Sequence, residues 1–143
     1  SVAALEASPP PHIDMSHMKA SAADRLEREA KIVPALKAGG VRILIGGDYG
    51  FPFNPNGRNA RDLEIFVDRF GYTPAEALQA ATALGGELMG LPVGQVREGY
   101  LADLLLVDGD PTVDVAILQD KTRLAMIMKD GVVYKALAEV LAA

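Results

Sequence analysis

The chain contains no cysteine. Disulfides and thiolate metal sites are therefore excluded, and the composition fits a reducing compartment such as the cytoplasm. Histidine occurs only twice, as His12 and His17. Their spacing matches neither a His-x-His pair nor the i, i+4 pair of a helical zinc site. No apolar run approaches the ~18 residues of a membrane span, and no signal peptide is visible. Positive charge is also scarce: 14 Lys and Arg stand against 19 Asp and Glu, a net charge of −5. That balance argues against nucleic acid as the main partner. There is no internal repeat and no low-complexity tract.

What is present suits one domain with a real core: 143 residues, half of them hydrophobic and 23% charged. The chain starts at Ser1 rather than Met, and its opening residues read as the interior of a protein. The expectation is a piece of something longer, with processing or trimming of the chain as the alternative.

The most informative stretch is Val41 to Gly50. Val41–Ile45 is a short, β-branched apolar run after a stop at Gly39-Gly40, the pattern of a buried strand, most simply a parallel one. Gly46-Gly47 predicts a sharp turn, and Asp48 is the first ionisable group beyond the run. In α/β folds the carboxyl ends of strands carry the chemistry. Asp48 then reads as a carboxylate at the mouth of a sheet or barrel. The alternative is a turn aspartate that bonds its own backbone.

Around this stretch the pattern is mostly helical. Ser8 to Pro11 stops any helix in residues 2–7, and His12 to Met18 reads as a loop. Ala20 to Ala38 predicts a helix with Leu26, Ile32, Val33 and Leu36 on its apolar side and a kink or break near Val33 before Pro34. Tyr49 to Asn59 is a long polar loop of the kind that carries pockets. Ala60 to Phe70 is amphipathic, with Leu63, Phe66, Val67 and Phe70 on one face and Gly71 as its stop. Thr73-Pro74-Ala75-Glu76 has the form of a capping box opening a helix to about Leu84, which Gly85-Gly86 interrupts. From Val93 short strands take over: Ala102 to Val107, Leu124 to Met128 and Val132 to Tyr134, the last two joined by an Asp130-Gly131 hairpin turn. Ala136 to Ala142 predicts a terminal helix. One strand among the helices of the first ~90 residues has no ladder partner, and its backbone groups would go unsatisfied. Its neighbours must come from outside this sequence.

The order of four segments resembles the C-terminal third of amidohydrolase-superfamily enzymes, closest to the imidazolonepropionase-like and prolidase-like branch. These segments are Ala38 to Asp48, Tyr72 to Thr82, Gly99 to Pro111 and Met128 to Tyr134. The resemblance implies a (β/α)8 TIM barrel with a small β-sandwich. Residues 1–92 would be the C-terminal part of the barrel, with Val41–Ile45 its last strand. Residues 93–143 would be part of the sandwich with a terminal helix, and Asp103 would be structural. The implied activity is metal-dependent hydrolysis of amide or cyclic amide bonds, possible substrates including dipeptides, with one or two divalent ions, zinc in the first place. Asp48 would match the aspartate that binds metal and takes a proton from the attacking water. Chemistry agrees: a divalent metal lowers the pKa of bound water, and a nearby carboxylate can act as general base. Two positions depart from the pattern: Gly47 replaces the usual Thr, and Tyr49 follows the aspartate.

The family's other ligands are absent from this sequence. His12 and His17 would lie in a loop overhanging the site and could touch substrate, although an exposed loop histidine is the simpler reading. Arg58 could clamp a substrate carboxylate or serve the turn; Asn54, Asn56 and Asn59 suit turn chemistry, with Asn59 as an N-cap. Tyr49 is a further candidate substrate contact. Met126 and Met128 read as strand core. Two functions stand side by side. One is the C-terminal portion of a cytoplasmic hydrolase, a homo-oligomer acting on a small amide or dipeptide away from nucleic acid and membrane. The other is a non-catalytic assembly unit that folds only against a partner chain or a missing N-terminal segment.

Overall fold

In the computed structural model, residues 15–50 and 54–136 are described. Helix α1 spans Met15–Ala38. Leu26, Ala30 and Val33, spaced for one helical face, lie against the core. Ile32 and Leu36, expected on that face, are exposed. The helix runs through Pro34 without a break. Proline removes one donor only, and the turns around it remain helical. The helix also starts earlier than the sequence suggested, so Met15 to Met18 are helical rather than loop.

Helix α2 spans Arg61–Phe70 and stops at Gly71, whose φ of 69° is the left-handed conformation a helix end needs. Its first-turn cap is Ala60, without a side-chain bond. Asn59, expected to cap it, instead accepts from the Gly57 N–H at 3.1 Å. Helix α3 spans Pro74–Ala81 behind the expected capping box: Thr73 accepts from the Glu76 N–H, and Glu76 accepts from the Thr73 N–H. Helix α4 covers Ala83–Met89. The interruption falls at Thr82, where φ is −128° and ψ −86°, and not at Gly85-Gly86. The Thr82 hydroxyl bonds the Leu78 carbonyl at 2.7 Å and ends the ladder there.

Strand β1 (Leu104–Val107), strand β2 (Leu124–Lys129) and strand β3 (Val132–Ala136) form one antiparallel sheet in that order. Asp130 at φ 51° and Gly131 at 77° form the hairpin turn, as a two-residue primed turn requires. Asp103 accepts from the Asp130 N–H at 2.8 Å, so its structural reading holds. Met126 and Met128 are half-buried strand residues. Ala136 closes β3 rather than opening a helix; residues 137–142 of that expected helix lie outside the described residues.

The core is small: Leu63, Phe66, Phe70, Tyr72, Ala77, Ala80 and Val115. The Phe66 ring meets Phe70 and Tyr72 edge-on at 5.3 and 4.9 Å. Val115 reaches it from a short 3-10 helix, Val115–Gln119, that packs on α2. Lys37 ties the corner together. Its ammonium bonds Glu76 at 2.7 Å and the Gly71 carbonyl at 3.0 Å and sits 4.3 Å from the centre of the Tyr72 ring.

Candidate functional site

Residues 41–48 form no strand. Among the described residues nothing completes a ladder beside them, and only the Val41 N–H is bonded to the backbone, at Leu36. The segment nonetheless lies on the helices, with Ile43 and Ile45 against the core. Gly46 and Gly47 do not adopt the left-handed region; the turn comes later, at Gly50, whose φ is 106°. Apolar contact holds the segment down, while strand geometry would need a neighbouring backbone.

Asp48 follows, exposed. Its main chain is fixed: the Asn54 side-chain amide donates to the Asp48 carbonyl at 2.9 Å, and the Gly50 N–H to the Asn54 carbonyl at 2.9 Å. Its carboxylate makes no hydrogen bond among the described residues. The turn aspartates Asp110, Asp114 and Asp120 differ, since each accepts a backbone N–H two residues on, at 2.8 to 2.9 Å.

Tyr49 is half-buried, and its hydroxyl donates to the Asp62 carboxylate in the first turn of α2 and faces the Asn59 carbonyl at 3.3 Å. Burial, and then the bond to Asp62, hold the phenol above its ordinary pKa. Arg58 is exposed on the loop leading to α2. His17 stands in α1 rather than a loop, and His12 lies outside the described residues. Asp48 and Tyr49 are thus brought together with Asp62, which the sequence reading missed. The signal available was an acidic residue in a first helical turn, a position common enough on dipole grounds alone to pass unnoticed. Among the described residues no three His, Cys, Asp or Glu side chains are placed to hold a metal ion. They do not fit a catalytic metal by themselves, since Asp48 is a single ligand where three are needed.

An apolar extended segment laid on helices is followed by a small antiparallel sheet, and the solved structures this chain resembles imply a TIM-barrel-related fold. The model of the amidohydrolase family matches residues 10–134, and the chain belongs to that family. It is 38% identical over 104 residues to ochratoxinase of Aspergillus niger, covering 71% of this chain and 21% of that protein. The crystal structure of that enzyme superposes with a TM-score of 0.68 at 31% identity, over 76% of this chain and 25% of that one. Imidazolonepropionase of Rubrobacter xylanophilus is 34% identical over 103 residues, 68% of this chain and 24% of that protein. A Xaa-Pro dipeptidase crystallised with methionine in its active site superposes with a TM-score of 0.65 at 26% identity, over 75% of this chain and 25% of that one. The chain therefore spans only a fifth to a quarter of the relatives it matches. These relatives are hydrolases, and their family generally uses divalent metals.

Proposed function

We propose that this chain is the C-terminal portion of a metal-dependent amidohydrolase that cleaves an amide or cyclic amide C–N bond. In this reading residues 41–45 are the last strand of the barrel, paired once the remainder of the protein is present. Residues 1–92 belong to the barrel and 93–143 to the small sandwich. Asp48 takes the proton from the attacking water and returns it to the leaving amine. It is also the one ligand this chain gives to a divalent metal, zinc by preference. The other ligands come from outside this sequence. The observation that carries the reading is the open carboxylate of Asp48 on a pinned main chain. A turn aspartate would spend that carboxylate on its own backbone, as Asp110, Asp114 and Asp120 do.

The test uses the complete protein with excess zinc, assayed on ochratoxin, imidazolonepropionate and Xaa-Pro dipeptides. These are the compounds named by its relatives. Asp48→Asn keeps size and one acceptor oxygen but cannot take a proton. The expected loss in kcat is ~10²–10⁴, with KM changed less. A variant that melts like wild type and keeps more than about a tenth of kcat returns Asp48 to the role of a turn residue.

A second reading, a non-catalytic assembly unit, draws on the exposure of large apolar side chains, among them Val96 at 89%, Leu88 at 76% and Tyr134 at 72%. Intact mass separates the two. A larger polypeptide, or a co-purifying chain that carries His-x-His, favours the hydrolase. A stable, metal-free species of 15.1 kDa favours the assembly unit.

A further inference from the structure

We infer that Tyr49 is a positioning residue for Asp48, clasped between the bare Cα of Gly47 and the carboxylate of Asp62. The inference rests on the reading of Asp48 as the general base.

Gly47 is the starting point. Its backbone is outside the left-handed region, so nothing in its main-chain conformation calls for glycine. Space does. A Cβ at position 47 would lie 2.6 Å from the Tyr49 hydroxyl oxygen and 2.7 Å from its Cε2, and closer still to Cζ. The ring therefore folds back across the Asp48 peptide and rests where a side chain at 47 would be. Its hydroxyl reaches on to Asp62. Asp62 belongs to α2, the helix that carries Leu63, Phe66 and Phe70 into the core. The chain on one side of Asp48 is thus covered by the ring, and on the other side it is tethered to the most firmly packed helix. Asn54 holds the Asp48 carbonyl as a third tie. A carboxylate that makes no hydrogen bond among the described residues is oriented by its main chain, and here that main chain is held by neighbours on both sides. Side chains that do chemistry need such support, because a small misplacement costs rate.

The experiment uses the complete protein with 3-fluorotyrosine at position 49, read by 19F NMR, alongside steady-state kinetics. Tyr49→Phe removes the tether alone. It should lower kcat by about 3- to 10-fold, the worth of one hydrogen bond, with KM within twofold. Asp62→Asn keeps an acceptor and should retain most of kcat, whereas Asp62→Ala should match Tyr49→Phe. Gly47→Ala should expel the ring, move the 19F resonance towards that of exposed tyrosine, and lower kcat to a similar extent. Adding Tyr49→Phe to Gly47→Ala should cost nothing more. Asp48→Asn is measured beside them. If it abolishes turnover while Tyr49→Phe and Gly47→Ala leave kcat within twofold and Gly47→Ala leaves the resonance unmoved, the clasp is overturned and the general base stands. If Asp48→Asn keeps turnover, the general base is overturned, and the positioning role falls with it.

Discussion

Lys37 and Glu76 carry more of the molecule than their half-exposed positions suggest. The Lys37 ammonium, and then the Thr73 groups of the capping box, hold the Glu76 carboxyl down to about 2 from an ordinary 4.5. A carboxylate whose folded pKa is lowered stabilises the fold at pH above its unfolded value and loses that contribution as pH falls through the folded one. The denaturation midpoint should therefore decline between about pH 4.5 and 2, and the decline should be shallower in Lys37→Met, as urea unfolding at a series of pH values would record. Salt should weaken the effect, because the pair is in contact with solvent. The Asp130-Gly131 turn makes a separate demand. Both residues have positive φ, and valine takes that conformation at high cost. Gly131→Val should lower stability by more than ~1 kcal/mol, measured as the shift in urea midpoint; an unchanged midpoint would place the turn elsewhere. That glycine was legible from two apolar flanks around Asp-Gly. The partner of Tyr49 was not, because Asp62 is thirteen positions away and no local pattern joins them.

Among the elements, the sequence was most readable where a helix end has its own chemistry. Thr73, Pro74 and Glu76 specify a start within four residues, and Gly71 specifies a stop. Phe66, Phe70 and Leu63 fall on one stripe, and that stripe is the core. Legibility failed where a glycine serves distant backbone rather than local conformation. Gly85-Gly86 reads as an interruption, yet both glycines lie inside α4. A Cβ on Gly86 would meet the Val93 carbonyl carbon at 3.1 Å and its oxygen more closely, and one on Gly94 would run into the Thr82 carbonyl. Gly86 lets α4 and the following chain approach each other, a long-range requirement that leaves no local signature, whereas Gly94 also takes the left-handed conformation at φ 79°. Asp48 was singled out from its place after an apolar run, as a carboxylate at the mouth of a sheet or barrel. The strand before it was expected too, but strand geometry needs a ladder, and no ladder forms beside residues 41–48 among the described residues.

At the scale of the whole molecule, the helices and the 3-10 turn pack around a core with no large side chain completely buried among the described residues. Produced by itself, the chain should bind no catalytic metal tightly and turn over no amide, because one carboxylate and two poorly spaced histidines cannot supply the ligands zinc requires. Metal analysis after dialysis is the check, and stoichiometric zinc accompanied by amidase turnover would contradict it.

The backbone of residues 42–47, which makes no hydrogen bond among the described residues, has a further consequence, for colloidal behaviour. A β-branched apolar run with open N–H and C=O groups is a template for edge-to-edge growth. Arg42 is the one charge between Val41 and Gly47, and Glu87 holds it at 2.7 Å. It has the place of a gatekeeper, where a cation discourages one copy from stacking on the next. The isolated chain should therefore form thioflavin-binding aggregates with time, and Arg42→Ala should shorten the lag before they appear. A lag that does not change would assign Arg42 to its contact with Glu87 alone.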